Sequence, residues 1–175
     1  MELKELLKMR RSTRKFSDKI VPDEVVDRIL EAAFTAPSSR NSRSTRIMVV
    51  REPATLAAMS EMRDYGSAFL KGAPLAFVVA GDTSATDLWR ENCSILATIL
   101  QLACVDEGLA SCWVHVDGRP QRQSEPQGPQ AVDHLRGLLP LPGDWEVLCV
   151  VAAGYSDFHP AALPPFDWHD SVVKL

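Results

Sequence analysis

Apolar positions recur along this chain in two rhythms, one of helical period and one of short continuous runs. Leu3, Leu6, Leu7 and Arg10 fall at helical spacing and predict a packed first helix ending near a knot of cations. A second helix is predicted to open at "VPDE", with Pro22 at the first helical position and Asp23 and Glu24 complementing the positive end of its dipole. Val25, Val26, Ile29, Leu30 and Ala33 form its apolar stripe. The stripe stops at "TAPSSRNS", because the residue before a proline avoids the helical region and Ser and Asn favour turns.

"RIMVV", "PLAFVVAG", "ASCWVHV" and "WEVLCVVAAG" are short apolar runs bounded by turn residues, and each reads as a buried strand. Between the second and third lies a long helix, from about Asp87 to Glu107. Its interior residues Ile95, Leu96, Ile99, Leu100, Leu102, Ala103 and Val105 are apolar on nearly every face, which requires cover on both sides and points to a second subunit. Helices alternating with strands give an α+β or α/β layered domain, with the strand order left open. The polar stretch 117–130 and the proline-rich stretch 160–165 do not divide the chain, so residues 1–175 are expected to form one domain.

Hydrophobic residues at 46% and charged residues at 24% are the composition of a soluble globular protein, and the net charge of −4 gives no general attraction to nucleic acid or an anionic membrane. Cys93, Cys104, Cys112 and Cys149 lack CxxC spacing and are expected to be buried, reduced thiols. "MELKELLKMRR" is not a secretory signal, and no apolar run approaches the roughly 18 to 20 residues that cross a bilayer, so a cytoplasmic location is expected.

The phosphate loop GxxxxGK[ST], GxGxxG, HExxH and GxSxG are all absent. His115, His134, His159 and His169 are scattered without metal-ligand spacing, so no metal site is expected. Two donor-rich clusters remain, Arg10, Arg11, Ser12, Thr13, Arg14 and Lys15 at the end of the first helix and Pro37, Ser38, Ser39, Arg40, Asn41, Ser42 and Arg43 at the end of the second. Guanidinium forks and hydroxyls in the first suit a phosphate monoester, and Ser and Asn in the second suit a polar heterocycle edge. A solvated cation run complementing a helix dipole, and an ordinary turn, are the plainer readings of the same residues.

"RRSTRKF", "VPDEVVDRILEAAFTAPSSRNS", "KGAPLAFVVAGD", "ENCSILATILQLACVDEGLASCWV" and "LPLPGDWEVLCVVAAGYSD" resemble, in register, successive blocks of the FMN-dependent nitroreductase family. The resemblance implies an α+β nitroreductase-like fold, with a central mixed β-sheet flanked by helices, in an intertwined homodimer. It implies that Arg10, Arg11, Ser12 and Arg14 bind FMN, Arg10 and Ser12 toward the phosphate and Arg14 toward the pyrimidine edge. It brings Pro37, Ser38, Ser39 and Asn41 to FMN at the subunit interface from the partner subunit. It also places "SCWVH" beneath the flavin ring, so Trp113 and His115 lie near N5, with His115 where the family usually has glycine.

By the same resemblance the chain is an FMN-dependent NAD(P)H oxidoreductase. NADH or NADPH donates, a nitroaromatic, quinone or similar small-molecule acceptor receives, and the kinetics are ping-pong. A flavin-binding or sensing protein with little turnover, and a dehalogenating or flavin-fragmenting branch, are the alternatives. Two departures stand out. After Asn41 the family often continues with Gln, Pro and Trp where this chain has Arg43, Ser44 and Thr45. The C-terminal stretch offers only Lys174 as a phosphate cation, which makes Arg43 or Arg119 the substitute to look for.

Overall fold

A computed structural model describes residues 2–158 and 160–175. The chain runs through α1 (Leu3–Met9), α2 (Asp23–Ala33), β1 (Thr45–Val50), α3 (Pro53–Met59), β2 (Leu75–Asp82), α4 (Trp89–Asp106), β3 (Ala110–His115), α5 (Ala131–Leu138) and β4 (Trp145–Gly154). All four expected strands and the long helix form, and Pro22 is the residue just before α2 rather than its first residue.

The sheet order is β1-β2-β4-β3, and every neighbouring pair is antiparallel. The expected mixed sheet is therefore corrected: the only parallel pairing among the described residues is an isolated bridge between Ser12 and Ser111. The reason is topological. α4 crosses over from β2 to β3, which run in the same direction, but β4 is inserted between them and pairs antiparallel with both.

β2 alternates Leu75, Phe77 and Val79 toward α2 and α4 with Ala76, Val78 and Ala80 toward α3 and α5. Burial on both faces explains why its sequence is continuously apolar rather than alternating with polar residues. Ile29 and Ala33 of α2 and Leu96, Ala97 and Leu100 of α4 fill one side, while Leu56 and Met59 of α3 and Leu135 of α5 fill the other. Arg28 of α2 clamps the end of α4 with two hydrogen bonds to Glu107, at 2.9 and 2.7 Å. The four cysteines are buried and free, and burial pushes Cys93 up to about 11 and Cys104 up to about 12.

The expected packing of the first helix is only partial within the chain, where α1 touches α4 and Leu6 is part-buried. Leu3 and Leu7 of α1 remain 63% and 54% exposed, and no residue of the helix is buried. α4 is covered on its sheet side only, since Ile95 is 40% exposed and Ile99, Leu102 and Val105 on the same face are only partly buried. The stretch 117–130 is fastened rather than free. The Gln121 N–H donates to Pro129 O, the Asp64 N–H to Gln121 O, and the Asp64 carboxylate accepts the Gln123 N–H.

Candidate functional site

Past α1 the chain straightens, because β3 is an edge strand whose free backbone groups offer a partner. Ser12 bridges Ser111 and the Thr13 N–H donates to Ser111 O at 3.0 Å, so the basic segment lies along that edge with Thr13 buried and Ser12 and Arg14 exposed. The cations then divide by role. Arg11 donates to the carbonyls of Lys8 and Arg10, closing the end of α1 as a helix-end cation does. Among the described residues Arg10 and Arg14 have no carboxylate partner, and the Arg14 guanidinium lies 5.9 Å from the centre of the Phe69 ring. Cys112 of β3 registers all three residues: burial pushes its thiol up, while the Arg14 charge, the Ser12 hydroxyl and the Arg10 charge oppose the rise.

At the other end of β3 the Trp113 and His115 rings stack with centroids 6.2 Å apart, and Trp113 Nε1 donates to His115 Nδ1 at 3.4 Å. Accepting there leaves the imidazole proton on Nε2. The His115 carbonyl accepts from Arg63 Nη1 at 2.9 Å. Arg63 is only 8% exposed, its Nε has no partner, and its guanidinium lies 4.2 Å from the Tyr65 ring centre. Burial, then the Arg119 charge, lowers the His115 pKa; Asp117 opposes this and Arg63 adds to it. Arg119 thus stands at the end of β3 remote from Arg10, roughly 17 Å along a six-residue strand.

Pro37, Ser38, Ser39 and Asn41 form a loop that the sequence indicates but whose anchor it conceals. Arg40, Asn41 and Arg43 adopt left-handed backbone with φ of 50°, 52° and 46°, a conformation that non-glycine residues hold only under restraint. The restraint is Asn92 of α4, 2% exposed. Its Oδ1 accepts the Ser39 N–H at 2.8 Å, and its Nδ2 faces the hydroxyls of Ser39, Ser42 and Ser44 at 3.2, 3.2 and 2.9 Å. Ser38 Oγ accepts the Arg43 N–H at 2.9 Å. Asn92 and Gln101 are the two buried polar residues of this largely apolar helix, and a polar residue on its buried face is the signal that the sequence offers. The loop borders a cleft of about 660 Å³ between the end of α2, the start of β1 and Trp145.

Within one chain the two clusters do not meet. The basic segment lies on β3 and the loop leads into β1, at opposite edges of the sheet, three strand spacings or roughly 14 Å apart. Trp113 packs partly against the core on the α4 side. His134 binds the Ala58 carbonyl at 2.9 Å, His169 pairs with Asp167, and His159 lies outside the described residues. Among the described residues no group of His, Cys, Asp and Glu could hold a metal ion, and no helix is long and apolar enough to cross a membrane.

These features define an α+β protein with helices on both faces of an antiparallel sheet and a cation-rich segment along one sheet edge. A sequence model described as the Nitroreductase family matches residues 7–65 and 51–155, and the chain belongs to that family. A protein of Archaeoglobus fulgidus, provisionally named NADH dehydrogenase/NAD(P)H nitroreductase, is 35% identical over 170 residues, covering 91% of this chain and 92% of its own. One of the same provisional name from Methanothermobacter thermautotrophicus is 33% identical, covering 95% and 84%. A solved structure described as an FMN-dependent nitroreductase from Clostridium difficile superposes with a TM-score of 0.89 at 37% identity, covering 97% of this chain and 96% of that one. The chain is accordingly an oxidoreductase of nitroreductase type with the nitroreductase fold.

Proposed function

We propose that the protein is a homodimeric FMN-dependent NAD(P)H oxidoreductase, with Arg10, Ser12 and Arg14 of one chain and Pro37, Ser38, Ser39 and Asn41 of the second serving one flavin. The observation that carries this reading is the pair of guanidiniums, without carboxylate partners among the described residues, beside Ser12 on the β3 edge. A donor set of that kind fits a phosphate at one end and an electron-rich pyrimidine edge further along. FMN, if bound there, would supply a two-electron carrier between NADH or NADPH and an acceptor. For a nitroaromatic the balance is NAD(P)H, one proton and ArNO2 giving NAD(P)+, ArNO and water.

The chain's own groups supply binding and electrostatics. Arg10 and Ser12 hold the phosphate, leaving Arg11 to close α1. Arg14 stabilises negative charge developing at the pyrimidine edge. His115, held through its carbonyl by Arg63 and through its ring by Trp113, fixes the end of β3. The separation of the two clusters within one chain supports the dimer, as does the exposed apolar face of α4.

Anaerobic visible spectra of the purified protein, before and after NADPH or NADH, test the proposal. Flavin bands that bleach are expected, with FMN affinity falling about tenfold or more in Arg10→Ala and in Arg14→Ala. Bands that persist would leave a flavin binder without turnover, and no bands after reconstitution with FMN would overturn the assignment of Arg10, Ser12 and Arg14.

A further inference from the structure

The cleft beside the Pro37–Asn41 loop shares Pro37, Ser38 and Asn41 with the flavin assignment, but the rest of its lining has a chemistry that this assignment does not use. Its volume of about 660 Å³ lies in the range of small-molecule sites. Phe34 and Trp145 give it flat aromatic surface, Ile47 and Leu96 add aliphatic surface, and Thr45 and Asn41 add polar groups. Two cations line it, and they are not equivalent. Arg46 is neutralised by Asp82 at 3.0 Å. Arg43 has no carboxylate partner among the described residues, and its Nε makes only a long contact of 3.4 Å to Asn41 Oδ1.

Arg43 is also held there against its backbone preference. At φ 46° it is in the left-handed region, fixed by its N–H to Ser38 Oγ and by its carbonyl, which accepts from Arg46 Nη1 at 2.7 Å. Backbone strain persists where surrounding bonds over-determine it, often at ligand sites. An uncompensated cation at the rim of an aromatic-walled slot is complementary to one kind of molecule, a flat ring carrying a single anionic group that a guanidinium fork can bind.

We propose that this cleft is the acceptor subsite and that Arg43 selects aromatic acceptors bearing a carboxylate. The inference rests on the reading of the chain as a flavin-dependent reductase.

The test compares para-nitrobenzoate with para-nitrobenzamide as acceptors for the FMN-loaded full-length protein, and reads the ratio of their kcat/KM values. The acid is expected to be preferred about tenfold or more, the worth of one charge-assisted hydrogen bond. Arg43→Gln should bring the ratio near one. Arg43→Lys, which keeps the charge without the fork, should fall between. Quenching of tryptophan fluorescence by the same two compounds in FMN-free protein should show the same order of affinities. Equal specificity in the unaltered protein, a ratio unchanged in Arg43→Gln, or an effect confined to NADPH would overturn the proposal. Failure to reduce either compound would instead sink the reductase reading, and the quenching ratio would then decide the cleft alone.

Discussion

Asn92 Oδ1 accepts the Ser39 backbone N–H at 2.8 Å across 53 positions of sequence, and the same side chain turns its amide nitrogen toward three serine hydroxyls. One buried residue of α4 thereby sets a loop containing three left-handed non-glycine residues. Replacing it with leucine strands the Ser39 N–H and the buried Ser44 hydroxyl, while Ser39 Oγ keeps Thr86 Oγ1, at about 1–3 kcal/mol per buried unsatisfied group. The melting temperature of Asn92→Leu should fall by about 3 °C or more, and trypsin should cut faster at Arg40 and Arg43. A variant with unchanged melting and unchanged cleavage would show that the loop holds itself.

Ile95, Ile99 and Leu102 face away from the sheet on α4, with the exposed leucines of α1 elsewhere on the same chain surface. Apolar side chains left incompletely covered along one helix face suit an association face. Sedimentation should give twice the 19.3 kDa chain mass, and Ile95→Glu with Ile99→Glu should return the protein to a single chain with diminished FMN binding. A chain that sediments singly at micromolar concentration would contradict this.

His115 carries a pKa lowered from 6.5 in the folded chain, chiefly by burial and then by the Arg119 charge. The groups facing it are Arg63 from the segment after α3, Asp117 and Arg119 from the segment after β3, and its β4 register partner Cys149, whose thiol burial keeps protonated. Below 6.5 the unfolded chain binds more protons at this residue than the folded one, so stability is present above that pH and declines as pH falls toward the lowered value. Unfolding by urea across this window should show a smaller pH dependence in His115→Gln than in the unaltered protein. Identical slopes would remove His115 from the account.

Gly81 of β2 lies directly under Trp89 at the start of α4. A β-carbon added there would meet Trp89 Cβ at 2.7 Å and its ring at 2.8 Å. The nearest atom is next to the backbone and cannot swing away, so Gly81→Ala forces the helix off the sheet at a cost of about 1–3 kcal/mol. Urea unfolding should record that loss, and a variant as stable as the unaltered protein would mean that α4 shifts freely at its first turn.

Much of the scaffold is legible locally. The strands and α2 announce themselves because their burial pattern is written in adjacent residues. α5 is easier to overlook, although the reciprocal cap between Gln130 and Asp133 and the spacing of Ala131 and Leu135 mark it. Asn92 and Arg63 are not legible as anchors, since a polar residue in a largely apolar helix can be noticed but it and one arginine among many carry no sign of what they touch. Their partners lie about 50 residues away along the chain.

The sequence by itself determined which segments are apolar enough to be buried, where helices stop, and that two donor-rich clusters exist; the in-register blocks also placed the chain beside its family. Only the tertiary structure decided that β4 inserts between β2 and β3, making the sheet antiparallel. It also put the two clusters at opposite edges and left Arg10 and Arg14 without carboxylate partners among the described residues while engaging Arg11. The physical reason is that periodicity and propensity are properties of neighbours along the chain, whereas strand order, burial of a particular guanidinium and the partner of a particular amide depend on non-local contacts formed when the layers pack.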